Sequence, residues 1–239
     1  MKLAISTYSL LPWGQETHQA LEPGLSWIAQ QGIKAVEFSG LDEKGHTNPV
    51  KRAAVLQKYC HRLGLKVVGY CAPAELLGTW RQQKKEIQKI KQQIDVASRL
   101  EAPSIRHDVT FGFSKRWRGP KTFQTVLKVV VPAILELSDY AQRQGVINTV
   151  ENHGFYLQTP KRIATLLEKV NHPNYRLTLD CGNFMCVNQD PVEAVKQLMP
   201  WAVLVHIKDF HVKPKRLAPP LKAGWIPTPT SIAIRGAVL

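Results

Sequence analysis

Seven short apolar runs recur along this chain, most of them separated by amphipathic stretches. Leu3 to Tyr8, Ala35 to Phe38, Leu65 to Tyr70, Pro103 to His107, Val146 to Glu151, Tyr175 to Asp180 and Ala202 to His206 read as strands. Near-continuous apolar runs of this length, flanked by turn residues, mark strands buried on both faces. The stretches between them carry helical spacing. One helix runs through Leu25, Ile28 and Ala29 and stops at Gly32. Another starts at Pro49 and ends near Gly64, with proline in the first turn and glycine just past the end. A long helix after Trp80 ends near Leu100. The next carries Phe123, Val126, Leu127, Val130, Ile134, Leu137 and Ala141, with Pro132 placed to kink it. Thr159-Pro160 and Pro191 start two more. Strict alternation of strand and helix demands a parallel sheet covered by helices, and seven such units suit a closing barrel better than an open, doubly wound sheet. No GxGxxG follows the first strand, which argues against dinucleotide binding.

The pattern stops after His206. Pro214, Pro219, Pro220, Pro227 and Pro229 forbid an amphipathic helix there, and the apolar tail from Ser231 to Leu239 follows no crossover helix. The expected class is therefore α/β, a TIM-barrel-like (β/α) fold with about seven of eight strands. Residues 1–239 form one domain in this reading, and its last β/α portion is missing.

Composition narrows the partners. The net charge of +14 admits nucleic acid or phosphorylated metabolites. The basic clusters Arg81–Lys85 and Lys115–Arg118 read more simply as solvated surface, since the first opens a helix whose apolar face is Ile87, Ile90, Ile94 and Ala97. The third, Lys213–Arg216, falls in the loop after the His206 strand, within reach of an anionic substrate. The 4 cysteines, Cys60, Cys71, Cys181 and Cys186, form no CxxC pair and read as reduced cytosolic thiols. The N-terminus lacks a signal-peptide core, and no apolar run approaches the ~20 residues of a membrane span. The expectation is a cytoplasmic protein with a small-molecule partner, no nucleic acid and no membrane.

The chemistry gathers at strand ends. Glu151, Asp180 and His206 close three successive apolar runs, 29 and 26 residues apart, about one strand–helix unit. In a barrel of βα units these ends meet at one mouth, where active sites lie. A Glu, an Asp and a His arriving together can hold a divalent metal. Each has a plainer reading: Glu151 as partner to a basic side chain, Asp180 as the opening of an Asp-x-Gly-Asn turn, His206 as a core or surface histidine. Their shared position favours function. Lys208 shares the orientation of His206 by the two-residue period. Arg106 and His107 end the fourth strand, suited either to substrate oxygens or to a buried ion pair. His153, Asn183 and Glu37 are further candidates beside the metal group. Tyr8, Trp13 and Phe155 could wall a sugar pocket.

These motifs are similar to those of the sugar phosphate isomerase/epimerase family of the xylose isomerase-like TIM barrel superfamily. The matching stretches are Leu3–Ser9, Val36-Glu37-Phe38, Arg106–Thr110, Glu151-Asn152-His153-Gly154, Asp180-Cys181-Gly182-Asn183-Phe184 and His206-Ile207-Lys208-Asp209. The resemblance implies one divalent metal ion, manganese, magnesium or zinc, held by Glu151, Asp180, His206 and a second glutamate. It implies proton transfer through an enediolate, with Glu151 as one of two acid/base groups. The second glutamate of the family comes from an eighth strand, so a C-terminally truncated member with impaired activity is expected, unless a homodimer completes the barrel. Two other readings compete: a non-catalytic barrel remnant, and a metal-dependent nuclease like the abasic-site endonucleases. Against the nuclease, Asn183 stands where those enzymes carry a histidine, and neither Glu37-Phe38 nor Tyr70-Cys71 supplies one.

Overall fold

A computed structural model describes residues 3–10, 21–41, 48–217, 224–230 and 232–236. Trp13 lies outside these residues. Seven strands form one parallel sheet in sequence order: β1 (Ile5–Ser6), β2 (Ala35–Ser39), β3 (Lys66–Ala72), β4 (Ser104–His107), β5 (Ile147–Glu151), β6 (Tyr175–Asp180) and β7 (Ala202–His206). Six helices alternate with them: α1 (Leu21–Gln30), α2 (Pro49–Arg62), α3 (Trp80–Arg99), α4 (Phe123–Arg143), α5 (Pro160–Val170) and α6 (Pro191–Leu198). This is the expected α/β, TIM-barrel-like fold with seven strands.

Local chemistry sets the helix ends. Asn48 accepts hydrogen bonds from the Val50 and Lys51 N–H groups ahead of Pro49. Thr79 and Gln82 form a capping box at the start of α3. Asp190 caps α6 in front of Pro191. Burial follows the helical period: Ile87, Ile90, Ile94 and Ala97 on α3, and Val126, Leu127, Val130, Ile134, Leu137 and Ala141 on α4, face the sheet. Helix α4 runs through Pro132 as a single element.

The sheet curls strongly. An ideal Cβ on Gly69 of β3 would lie 3.1 Å from Leu204 Cδ2 of β7, so the two strands face each other across the interior. The curl stops short of closure, because no β1–β7 pairing occurs among the described residues. Val203 and Val205 on the outer side of β7 remain 44% and 39% exposed, where the outer sides of β2 to β6 are covered.

Two expectations change. The first strand is only two residues, because the chain turns into a 3-10 helix at Thr7, whose hydroxyl accepts the Ser39 N–H at 2.8 Å. The segment after His206 is not a plain loop. Phe210–Pro214 is a strand, β8, and with β9 (Ile226–Pro227) and β10 (Ile232–Gly236) it forms an antiparallel sheet in the order β8-β10-β9. The prolines that forbid a helix are compatible with strand edges, and Pro214 and Pro227 both lie in the outer strands of this sheet. The cluster Lys213–Arg216 thus closes a strand and enters a short 3-10 turn.

Candidate metal centre

The inward-facing residues are chosen by two register slips. Between β2 and β3, Val36 pairs with Val67 but Glu37 pairs with Gly69, so Val68 is the extra residue. Between β6 and β7, Leu177 pairs with Ala202 but Thr178 pairs with Leu204, so Val203 is extra. Side chains alternate along a strand, and a one-residue slip exchanges its faces. The second slip puts His206, not Val205, beside Asp180.

Below the mouth the interior is layered, with Thr149 and Thr178 hydroxyls 2.8 Å apart and both residues fully buried. Two residues further along each strand stand Glu151 and Asp180. Ligand atoms of Glu151, Asp180 and His206 all lie within 4.8 Å of one another. Glu151 Oε2 accepts from the Arg106 guanidinium, while Oε1 faces Asn183 Nδ2 at 3.2 Å and His206 Nδ1 at 3.4 Å. Asp180 Oδ1 accepts the N–H groups of Gly182 and Asn183, both at 2.9 Å, which leaves Oδ2 for a cation. Asn152 clamps the end of β6, donating to the Asp180 carbonyl at 2.8 Å and accepting its N–H at 2.9 Å. His206 Nε2 lies 2.9 Å from Glu37 Oε1.

The charges are strongly coupled. Burial alone would raise Glu151, but His206 and the Arg106 guanidinium overcome it and hold the carboxyl well below its ordinary value. Burial would likewise lower His206, and its hydrogen bonds to Glu151 and Glu37 instead lift it to about 10. Asp180 moves up, through burial and the neighbouring Glu151 carboxylate. Burial also pushes the Cys71 thiol up, with the Glu37 charge adding to it.

Of the residues read from the sequence, Glu151, Asp180, His206, Arg106, Asn183 and Glu37 meet here. Lys208 joins through its ammonium, 3.1 Å from Asn183 Oδ1. His153 stands at the rim, its Nδ1 2.8 Å from Asp108 Oδ1, and Asp108 in turn lies 3.5 Å from Arg106. His107 is not brought to the site. It follows Arg106 on β4 and so faces the helices, fully buried, with Nδ1 2.8 Å from the Asp108 carbonyl oxygen. Tyr8 and Phe155 are 65% and 52% exposed among the described residues. Two residues of the mouth escaped the sequence reading: Asn152, visible only as part of Glu-Asn-His, and Cys71, whose inward face depends on the slip at Val68.

Fold and site together define a barrel-like parallel α/β sheet with a carboxylate-rich, histidine-containing mouth suited to a divalent cation. The chain belongs to the xylose isomerase-like TIM barrel family, whose model matches residues 25–231. A comparison with curated proteins finds no match. Solved structures share the fold. The probable 3-DHS dehydratase AsbF of Bacillus anthracis is 20% identical, with a TM-score of 0.70 over 88% of this chain and 74% of that one. D-psicose 3-epimerase is 16% identical, TM-score 0.70, over 87% and 73%. The IOLI protein with a bound zinc atom is 19% identical, TM-score 0.71, over 88% and 74%.

Proposed function

We propose that the chain binds one divalent metal ion, manganese, magnesium or zinc, and isomerises or epimerises a small sugar or sugar phosphate. The observation that carries this reading is the convergence of Glu151, Asp180 and His206 donor atoms within 4.8 Å at the ends of β5, β6 and β7. Two carboxylates and one imidazole suit hard or borderline cations. A bound ion would supply Lewis-acid polarisation of a carbonyl and its adjacent hydroxyl. The similarity to D-psicose 3-epimerase and to a zinc-containing barrel supports the same chemistry.

The chain's own residues handle the protons. Glu151 is held ionised by His206 and Arg106, the form from which a carboxylate accepts a proton. Arg106 fixes its carboxylate through Oε2, which turns Oε1 to the metal group. Lys208, fixed by Asn183, is the second proton carrier at the mouth. Arg106, Asn183 and His153 offer donors to substrate oxygens, and Glu37 orients the His206 ring through Nε2.

The test pairs manganese calorimetry with a ketose screen in D2O read by NMR. Stoichiometric binding lost in Glu151→Gln, with metal-dependent deuterium uptake at one sugar carbon, is the expected result. Full metal loading without exchange on any ketose would leave a barrel that binds but does not turn over, and would overturn the isomerase reading.

A further inference from the structure

We propose that Glu37, Cys71 and His206 form a second cation site, selective for a thiophilic divalent ion of the zinc class, and exclusive of the Glu151–Asp180–His206 site. Their ligand atoms also lie within 4.8 Å of one another. A thiolate, an imidazole and a carboxylate are a borderline-soft set, and three protein ligands with one open position are usual for such ions. Ligand atoms around a tetrahedral zinc ion stand roughly 3.3–3.8 Å apart, so only small side-chain adjustments are needed.

Three features of the fold build this cluster. The slip at Val68 turns Cys71 to the face of Glu37 and sends Tyr70 outward, where its hydroxyl bonds Gln93 of α3. Without the slip, Tyr70 would point inward in its place. Gly69 leaves room for the carboxylate: a Cβ there would stand 3.2 Å from Glu37 Oε1. Cys71 Sγ stands within 4.8 Å of both a Glu37 carboxylate oxygen and a His206 ring nitrogen, which brings it to the proposed ion position.

His206 makes the two sites exclusive. Its ring presents Nε2 to Glu37 and Nδ1 to Glu151. A neutral imidazole has one lone pair for a metal, and its other nitrogen keeps a proton. An ion on Nε2 therefore removes His206 from the Glu151 side. Hard ions prefer the site with two carboxylates, and thiophilic ions the site with Cys71. Ion identity thereby biases the choice of site, and a zinc-class ion bound at Cys71 competes with manganese for His206.

Cobalt titration of the full chain tests this, because a thiolate–cobalt bond gives an intense near-ultraviolet charge-transfer band. The band is expected in the wild type and in Asp180→Asn, lost in Cys71→Ser and weakened in Glu37→Gln. Manganese calorimetry should show the reverse: binding retained in Cys71→Ser and lost in Asp180→Asn. Retained manganese binding also reports that Cys71→Ser folds. Cobalt binding without a thiolate band in the wild type, or a band lost in Cys181→Ser instead, would overturn the proposal. A missing manganese site with an intact cobalt band would sink only the metal assignment of the preceding section.

Discussion

Gly182 follows Asp180 by two residues, and its backbone, at φ −81° and ψ −30°, is one that alanine adopts freely. Space is the constraint. A Cβ there would stand 2.4 Å from the Lys208 carbonyl oxygen and 3.0 Å from its carbonyl carbon. The oxygen must retreat at least 0.6 Å to reach even a 3.0 Å contact. It belongs to backbone two residues beyond His206, where Cys181 N–H donates to the His206 carbonyl at 3.0 Å and Lys208 Nζ reaches Asn183. Overpacking of this kind costs about 1–3 kcal/mol, and a weakened hydrogen bond adds about 1 kcal/mol. Gly182→Ala is therefore expected to lose about 3 kcal/mol, roughly 6–12 °C in Tm for a chain of this size. Displacement of His206 should also weaken manganese binding by about tenfold, the scale of lost ligand support. Thermal melts and calorimetry check both. A Tm within about 1 °C of wild type with unchanged manganese affinity would show that the β6 turn and the β7 exit are not locked together as the geometry requires.

Two further outcomes follow. Arg52 is nearly buried and takes a bidentate grip on Glu22, at 2.5 and 2.7 Å, so Glu22→Ala should cost about 2 kcal/mol in urea unfolding by removing two charge-assisted hydrogen bonds; a loss under about 0.5 kcal/mol would refute it. In chelator, His206 should stabilise the fold most below its ordinary value of 6.5 and progressively less as pH rises through about 10, because its folded-state pKa is raised. The Tm gap between wild type and His206→Gln should accordingly shrink between neutral pH and about 10, and a gap that widens would reverse the sign of the coupling.

Much of the fold was legible because the signals were local. Tyr175–Asp180 and Ala202–His206 were bounded correctly by apolar runs ending in polar residues, and Pro49, Pro160 and Pro191 marked helix starts. The convergence of Glu151, Asp180 and His206 was legible because the ends of successive parallel strands meet at one mouth. What failed depended on pairing. His107 sits beside Arg106 in sequence, yet alternation turns it to the helix layer. There, Asn148 from β5 bonds Ser138 of α4, and burial pushes His107 down towards its neutral form. Cys71 faces inward only because one residue of β3 is unmatched, and no run of side chains announces such a slip. The strands after His206 were hidden for the same reason: β8 and β10 are partners separated by proline-rich sequence, and neither reads as a strand alone.

The charge count of the mouth explains why these residues belong together. Glu37, Asp108 and Glu151 pair with Arg106 or His206, and Asp180 comes within 4.8 Å of His206 as a fourth carboxylate. Arg106 neutralises one, a protonated His206 another, and the Lys208 ammonium beside Asn183 offsets part of the rest. The surplus shows in Asp180, which burial and the Glu151 charge shift towards its protonated form. A dication held by Asp180, Glu151 and His206 would meet this surplus, and ligation by His206 would require the imidazole to lose its extra proton, so the net gain would be a single positive charge. Arg106 cannot substitute for that ion. Its guanidinium is fixed on Glu151 Oε2 and Asp108, whereas His206 faces the other oxygen, Oε1. The arginine thus satisfies one half of Glu151, and the other half faces Asn183 and, through the slip in β7, His206.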